Sequence, residues 1–186
     1  VRGPPGIRTE AFLLEVWSAI DKYVAACLEE RRGLSLPNFC KIGWQTNLRR
    51  QATCRPYFQL ADSFCRTYGL RLARGAAPDS EHLQIEELNL SKAAIRYSSS
   101  LTKDHVAMGL RYLVQQLGDV VSQGRQLKLS LSFGQLVARE REVSLVFDPQ
   151  FLSAHSVEPE GSFVEAAHRT REEAPMSMSP SSAGPM

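Results

Sequence analysis

One structural plan occurs twice in the sequence: a long amphipathic segment, a glycine, and a short apolar run with the spacing of a β-strand. The first copy lies in residues 10–44, where the amphipathic segment ends at Gly33. The second lies in residues 101–134, where it ends at Gly124. Glycine readily adopts the left-handed conformation that ends many helices, so both copies predict a helix followed by a strand. The plan favours an α+β fold with two tandem modules, each a helix plus a small antiparallel sheet.

The first module is expected over residues 1–70 as helix, strand, strand and helix. Apolar residues recur at helical spacing in its long segment and predict one broad buried face: Phe12, Val16, Ile20, Tyr23 and Cys27. Strands are expected around a turn at residues 37–38. A further strand at residues 55–60 returns after a short polar turn or ribbon at residues 45–53, and residues 61–68 are expected to form a closing helix.

A linker is expected over residues 71–83, because glycine, proline and aspartate interrupt any regular pattern there. The second module is expected over residues 84–152, beginning with a strand at Lys92–Tyr97. Whether residues 83–90 add a strand to either module stays open.

The second long helix is expected to be capped by Ser100 or Thr102. Clean alternation over residues 127–133 predicts a strand with one buried face, and two more strands follow within residues 135–147. Residues 153–186 are rich in serine, proline, glutamate and methionine, so a disordered C-terminal tail is expected there.

The charge distribution is uneven although the net charge is only +2. Residues 1–75 hold 12 Lys and Arg against 6 Asp and Glu, whereas the remainder is slightly acidic. A basic half could attract an acidic partner, nucleic acid included, or could be an inert solvated surface. The candidate partner or nucleic-acid surface consists of six cations of the first module: Arg31, Arg32, Lys41, Arg49, Arg50 and Arg55.

No spacing typical of a catalytic or metal site occurs in the sequence. We therefore expect no enzymatic activity, no catalytic or metal-binding residues, no cofactor and no small-molecule substrate. Four cysteines without a CxxC pair, at 27, 40, 54 and 65, predict free thiols rather than a disulfide framework. No apolar run is long enough to predict a membrane span. The chain begins without Met, which favours a fragment whose first helix is truncated.

The order of these motifs resembles the bacterial HU and integration-host-factor family. More closely, residues 10–152 are similar to the paired HU-like domains of eukaryotic coiled-coil domain-containing protein 81. The residues that carry the resemblance are Val16-Trp17, Gly33 to Phe39, Arg55-Pro56-Tyr57-Phe58, Tyr68-Gly69-Leu70 and Phe147 to Leu152. Two departures stand out. Cys40 takes the place of a glycine after Phe39, and residues 45–53 are too short for the basic, proline-tipped DNA arm of HU.

The resemblance implies two tandem HU-like modules that pair with each other in cis. It further implies a non-enzymatic scaffold at the centrosome or microtubule-organising centre in the cytoplasm, with protein partners or self-association. The alternative is sequence-independent nucleic-acid binding through the basic first module, since phosphate contacts by such cations need no base readout. The short segment at residues 45–53 counts against that alternative.

Overall fold

The computed structural model describes residues 6–47, 53–71 and 80–157. Within these ranges the chain forms helices and two small, mostly antiparallel sheets, so the fold is α+β with two modules in tandem. In the same ranges no helix combines the length and apolar character that crossing a bilayer requires.

The first module contains five elements in the expected order. They are α1 (Gly6–Glu29), β1 (Gly33–Leu36), β2 (Cys40–Asn47), β3 (Thr53–Leu60) and α2 (Asp62–Tyr68). The strands pair antiparallel, β1 with β2 and β2 with β3. Apolar residues that recur at helical spacing give α1 a buried face, part of which lies against this sheet.

Gly33 was expected to supply the left-handed end of α1, and this was wrong. Arg31 takes that conformation with φ of 57°. The main-chain N–H groups of Arg31 and Arg32 donate to the carbonyls of Leu28 and Cys27, which satisfies the free end of the helix. Gly33 is instead the first residue of β1. A Cβ there would lie 2.8 Å from the Ile42 carbonyl oxygen, so the close approach of two strands requires glycine.

The first sheet continues into the interval that was expected to be a linker. Strand β4 (Ser80–His82) pairs antiparallel with β2, and β5 (Ile85–Glu87) pairs parallel with β1. The strand order is therefore β3-β2-β1-β5, with β4 beside the far half of β2. This answers the question left open for residues 83–90, since they add a strand to the first module.

The second module begins with a helix rather than the expected strand. Helix α3 (Leu90–Tyr97) starts at Asn89, whose side chain accepts a hydrogen bond from the Lys92 N–H at 2.9 Å. The alternation that suggested a strand is misleading because Ile95 is 80% exposed while Ala93 and Ala94 are both buried.

The rest of the second module follows the expected order. It contains α4 (Lys103–Ser122), β6 (Leu127–Leu131), β7 (Gly134–Arg139), β8 (Glu142–Phe147) and α5 (Pro149–Ala154). Thr102 is confirmed as the cap of α4, where it forms a capping box with His105. Gly124, with φ of 73°, is confirmed as the left-handed residue after α4.

Residues 153–157 belong to the folded part, although the tail was expected to begin at Ser153. Helix α5 extends to Ala154, and His155 then packs against Trp44 with ring centroids 5.3 Å apart. Residues 158–186, the remainder of the expected disordered tail, lie outside the described residues.

One continuous apolar cluster contains buried residues of both modules. Helix α1 packs against α3 and α4, and α2 packs against α4. The four cysteines are free, and three of them are buried. Desolvation is the only cause that raises the pKa of Cys40, the most deeply buried of these thiols.

Candidate functional site

The two modules attach their last helix to their sheet in the same way. The N–H of Ala61, just before α2, donates to the carbonyl of Phe39 at 2.8 Å. The N–H of Asp148, just before α5, donates to the carbonyl of Phe133 at 3.0 Å. Each of these phenylalanines also contacts an aromatic ring of its own closing helix, Phe64 or Phe151. These matched contacts give the two modules equivalent positions at the strand turn and at the start of the closing helix.

The alignment places one contact between the modules at equivalent positions. Val16 lies 15 residues before Arg31, the left-handed residue after α1, and Gly109 lies 15 residues before Gly124, its counterpart after α4. A Cβ built on Gly109 would lie 2.6 Å from Val16 Cγ2. The two long helices therefore cross at matched positions, as they would in a two-fold symmetric pair.

A cluster of charged and phenolic groups joins β5, α1 and α3. The Tyr23 hydroxyl and the Lys92 ammonium both donate to Oε1 of Glu86, and the distance from Lys92 Nζ to that oxygen is 2.8 Å. The Arg32 guanidinium donates to the other oxygen, Oε2. Hydrogen bonds from Lys92 and then Tyr23 lower the pKa of Glu86 to about 2. Arg32 also pairs with Glu30. Opposite charges are thus satisfied locally at this junction.

An aromatic cluster joins α5 to the first module. Trp44 lies beside the rings of Phe151 and His155, and its Nε1–H donates to the Leu28 carbonyl at 3.0 Å. The Arg31 guanidinium lies 4.2 Å from the centre of the Trp44 ring and donates to the His155 carbonyl at 2.6 Å. A cation over an aromatic face contributes up to about 2 kcal/mol when desolvated.

The structure describes four of the six candidate cations. Arg31 and Arg32 bind groups of the protein itself at the end of α1. Lys41 and Arg55 lie on one face of the first sheet, but Lys41 is opposite Gln59 whereas Arg55 is opposite Gln45, four residues along β3. Arg49 and Arg50 lie outside the described residues. A shared binding surface for these cations stays a prediction.

Neither sheet has room for a long ribbon at the position of the HU arm. In the first module Asn47 pairs with Thr53, so only the five residues 48–52 connect β2 to β3. In the second module Glu140 and Arg141 connect β7 to β8, both with positive φ, as in a two-residue type I′ hairpin turn. Neither connection is therefore long enough to form an extended arm of the HU type.

An apolar groove that was not predicted from the sequence lies on the surface between α1, α4 and β6. Its volume is about 460 Å³, and Leu14 on its wall is 63% exposed. The signal was present, because Leu13 and Trp17 widen the apolar stripe of α1 beyond the face that its own sheet can cover. The other apolar residues that line the groove are Phe39, Leu113, Val114, Leu117 and Leu129.

Two family models match the chain in tandem. The CCDC81 eukaryotic HU domain 1 matches residues 5–72, and the CCDC81 eukaryotic HU domain 2 matches residues 84–156. Together the two matches cover about three quarters of the chain. Comparison with the curated proteins finds no match.

Proposed function

The chain belongs to the family with tandem CCDC81 eukaryotic HU domains, and on that premise we propose that it is a protein-interaction module of a centrosome-associated scaffold, whose two HU-like modules pair in cis. HU-like domain families are generally non-enzymatic. The proposed role is accordingly to hold partners in place rather than to transform a substrate.

The contact between Val16 and Gly109 carries the proposal of cis pairing. In a two-fold symmetric pair, a residue near the axis meets its own counterpart. Val16 and Gly109 are such counterparts, although they belong to different modules of one chain. The aromatic contact of Trp44 with Phe151 adds a second connection between the modules. Pairing in cis would bury the dimerisation faces internally and leave the outer edges and grooves for other proteins.

The charges of the first module support a protein partner over nucleic acid. Arg31 and Arg32 make their closest contacts within the protein, so their charge is less available to phosphates. Helix-end and sheet-face cations without a reaching arm make few phosphate contacts, and affinity for DNA grows with the number of such contacts. Nucleic-acid binding through Lys41 and Arg55, together with residues 48–52, is the outcome that a titration must exclude.

Proximity labelling tests the scaffold proposal in cells. The full chain fused to a biotin ligase should enrich centrosomal proteins relative to free ligase. A Gly109→Leu variant, which forces α1 and α4 apart, should lose that enrichment. An Ile95→Ser variant should keep it, because Ile95 points outward from α3. A labelling profile equal to that of free ligase would contradict the centrosomal role, whatever the state of pairing.

A further inference from the structure

The two modules differ at one sheet edge. In the first module the outer edge of β1 is covered by β5, which runs parallel to it. The second sheet has the order β6-β7-β8, and within residues 80–157 no strand pairs with the outer edge of β6. An uncovered edge presents unpaired main-chain groups that can accept another strand.

The matched residues show which groups of β6 face that edge. The last residue of β1, Leu36, pairs with the first residue of β2, and the last residue of β6, Leu131, pairs with the first residue of β7. Counting back from these two leucines, Gly33 corresponds to Lys128 and Ser35 to Ser130. The N–H of Gly33 donates to the Gln84 carbonyl at 2.8 Å, and the carbonyl of Ser35 accepts from Leu88 at 3.0 Å. By the same alternation, the N–H of Lys128 and the carbonyl of Ser130 point outward.

Two exposed cations lie at the start of β6, whereas the Asp21 carboxylate accepts from Ser132 just after its end. In the first module Arg32 directly follows the left-handed residue and pairs with Glu86 of β5. Arg125 likewise directly follows the left-handed Gly124, but it lies three residues before Lys128, whereas Arg32 directly precedes Gly33. Both Arg125 and Lys128 are exposed, and among the described residues neither forms an ion pair. Arg125 and Lys128 therefore supply positive charge at the start of β6.

An apolar surface accompanies the same edge. Leu34 of β1 is 0% exposed beneath the elements that cover the first module, whereas its counterpart Leu129 is only partly buried. Leu129 lines the 460 Å³ groove together with Leu113 and Leu117. The groove can therefore take apolar side chains of a strand that binds beside it.

We propose that the outer edge of β6 binds an extended acidic segment of a partner protein as a parallel fourth strand, with a carboxylate at Arg125 and apolar side chains in the adjacent groove. This deepens the proposed function, on which it rests, by naming the kind of partner and its docking mode. Main-chain hydrogen bonds would supply affinity, and the charge and the groove would supply specificity.

The test uses the full chain and a synthetic peptide with the sequence of residues 83–90, which contains β5. Added to ¹⁵N-labelled protein, the peptide should protect the amide of Lys128 from exchange and shift the resonances of β6. A peptide with Gln at both glutamate positions should bind about tenfold more weakly, since a charge-assisted hydrogen bond is lost. Parallel pairing is expected by analogy with β5, which runs parallel to β1.

Matched variants separate the edge from general charge effects. Lys128→Pro removes the outward N–H at an edge position where proline is tolerated, and it should abolish binding. Arg125→Glu should weaken binding about tenfold or more, which keeps a test available if the proline variant does not fold. Lys41→Glu changes an exposed cation on the interior strand β2 and should leave affinity unchanged.

Three outcomes would overturn the proposal. The first is peptide affinity that Lys128→Pro and Arg125→Glu do not change. The second is a response at Gly33 and Ser35 of β1 in place of β6, which means exchange with β5. The third is an edge already protected without peptide, because the chain itself or a second copy then covers β6. If the chain binds the peptide but does not label centrosomal proteins, only the proposed cellular role is refuted. If the Arg125→Glu variant no longer binds the peptide but still labels centrosomal proteins, only the proposed partner site at β6 is refuted.

Discussion

Replacing Gly109 by alanine decides whether α1 and α4 pack together in solution as the structure has them. A Cβ at this position would lie 2.6 Å from Val16 Cγ2 and 3.1 Å from Cγ1, well inside ordinary contact distance. Val16 is fully buried, and a valine in a helix has essentially one side-chain rotamer, so its methyl groups cannot turn away. The helices must therefore separate or strain.

Two opposing effects set the size of the change. Alanine favours a helix interior over glycine by about 1 kcal/mol. Overpacking a well-filled contact costs about 1–3 kcal/mol. At the upper part of that range Gly109→Ala lowers the free energy of unfolding by about 1–2 kcal/mol, which corresponds to a melting temperature lower by roughly 2–8 °C for a chain of this size.

A double-mutant cycle with Val16→Ala isolates the contact. Val16→Ala alone should cost about 2 kcal/mol through lost burial and a small cavity. In the double variant the new methyl group at position 109 fills part of that space, so the combined loss should be at least 1 kcal/mol smaller than the sum of the single losses. Urea denaturation followed by far-ultraviolet circular dichroism measures all four free energies.

The sign of the single change refutes the reasoning most directly. If the helices do not touch in solution, Gly109→Ala acts only through helix propensity and raises stability by about 1 kcal/mol. A stabilised Gly109→Ala variant, or additive losses in the cycle, would remove the physical basis of cis pairing.

Three further outcomes are expected. Because its folded pKa of about 2 lies below the ordinary value of 4.5, Glu86 stabilises the fold above about pH 4.5 and loses that effect as the pH falls toward 2. In Glu86→Gln the free energy of unfolding should therefore fall less as the pH is lowered from about 4.5 to 2, by at most about 3 kcal/mol. The same pH dependence in both proteins would contradict the interactions assigned to Glu86. Gly134→Ala should destabilise the second module by more than about 2 kcal/mol in thermal melts, since its Cβ would overlap the Val146 carbonyl oxygen, whereas Cys40→Ala at the equivalent site should cost about half as much. Labelled duplex DNA at about 0.15 M salt should show no binding at micromolar protein, and steeply salt-dependent binding that Lys41→Glu with Arg55→Glu abolishes would contradict this.

Much of the architecture could be predicted because it depends on local periodicity. The stripe of α1, the alternation in β6 and the cap at Thr102 each act within a few residues, and the structure confirms all three. The resemblance to tandem HU-like domains is likewise confirmed by the two family matches. Such signals survive in a single sequence because helices and strands impose fixed repeats on buried side chains.

The errors arose where partners distant in sequence decide the conformation. Lys92–Tyr97 has strand-like alternation, yet it is helical because α1 and α4 offer a surface for Ala93 and Ala94. Strand β5 has too few apolar residues to be recognised, and it forms because β1 presents an unpaired edge. The contacts of Arg31 likewise depend on distant residues, because the fold places its guanidinium against Trp44 and His155.

The sequence by itself determined the two repeated modules, their long helices, the strands β1 to β3 and β6 to β8, and the short connections between paired strands. Local spacing, turn residues and connection lengths are enough for those features. Only the tertiary structure decided that Val16 meets Gly109, that Glu86 joins three elements, and that among the described residues a strand pairs with the outer edge of β1 but none with that of β6. Those features depend on which surfaces meet when the chain folds back on itself, and no local pattern encodes that choice.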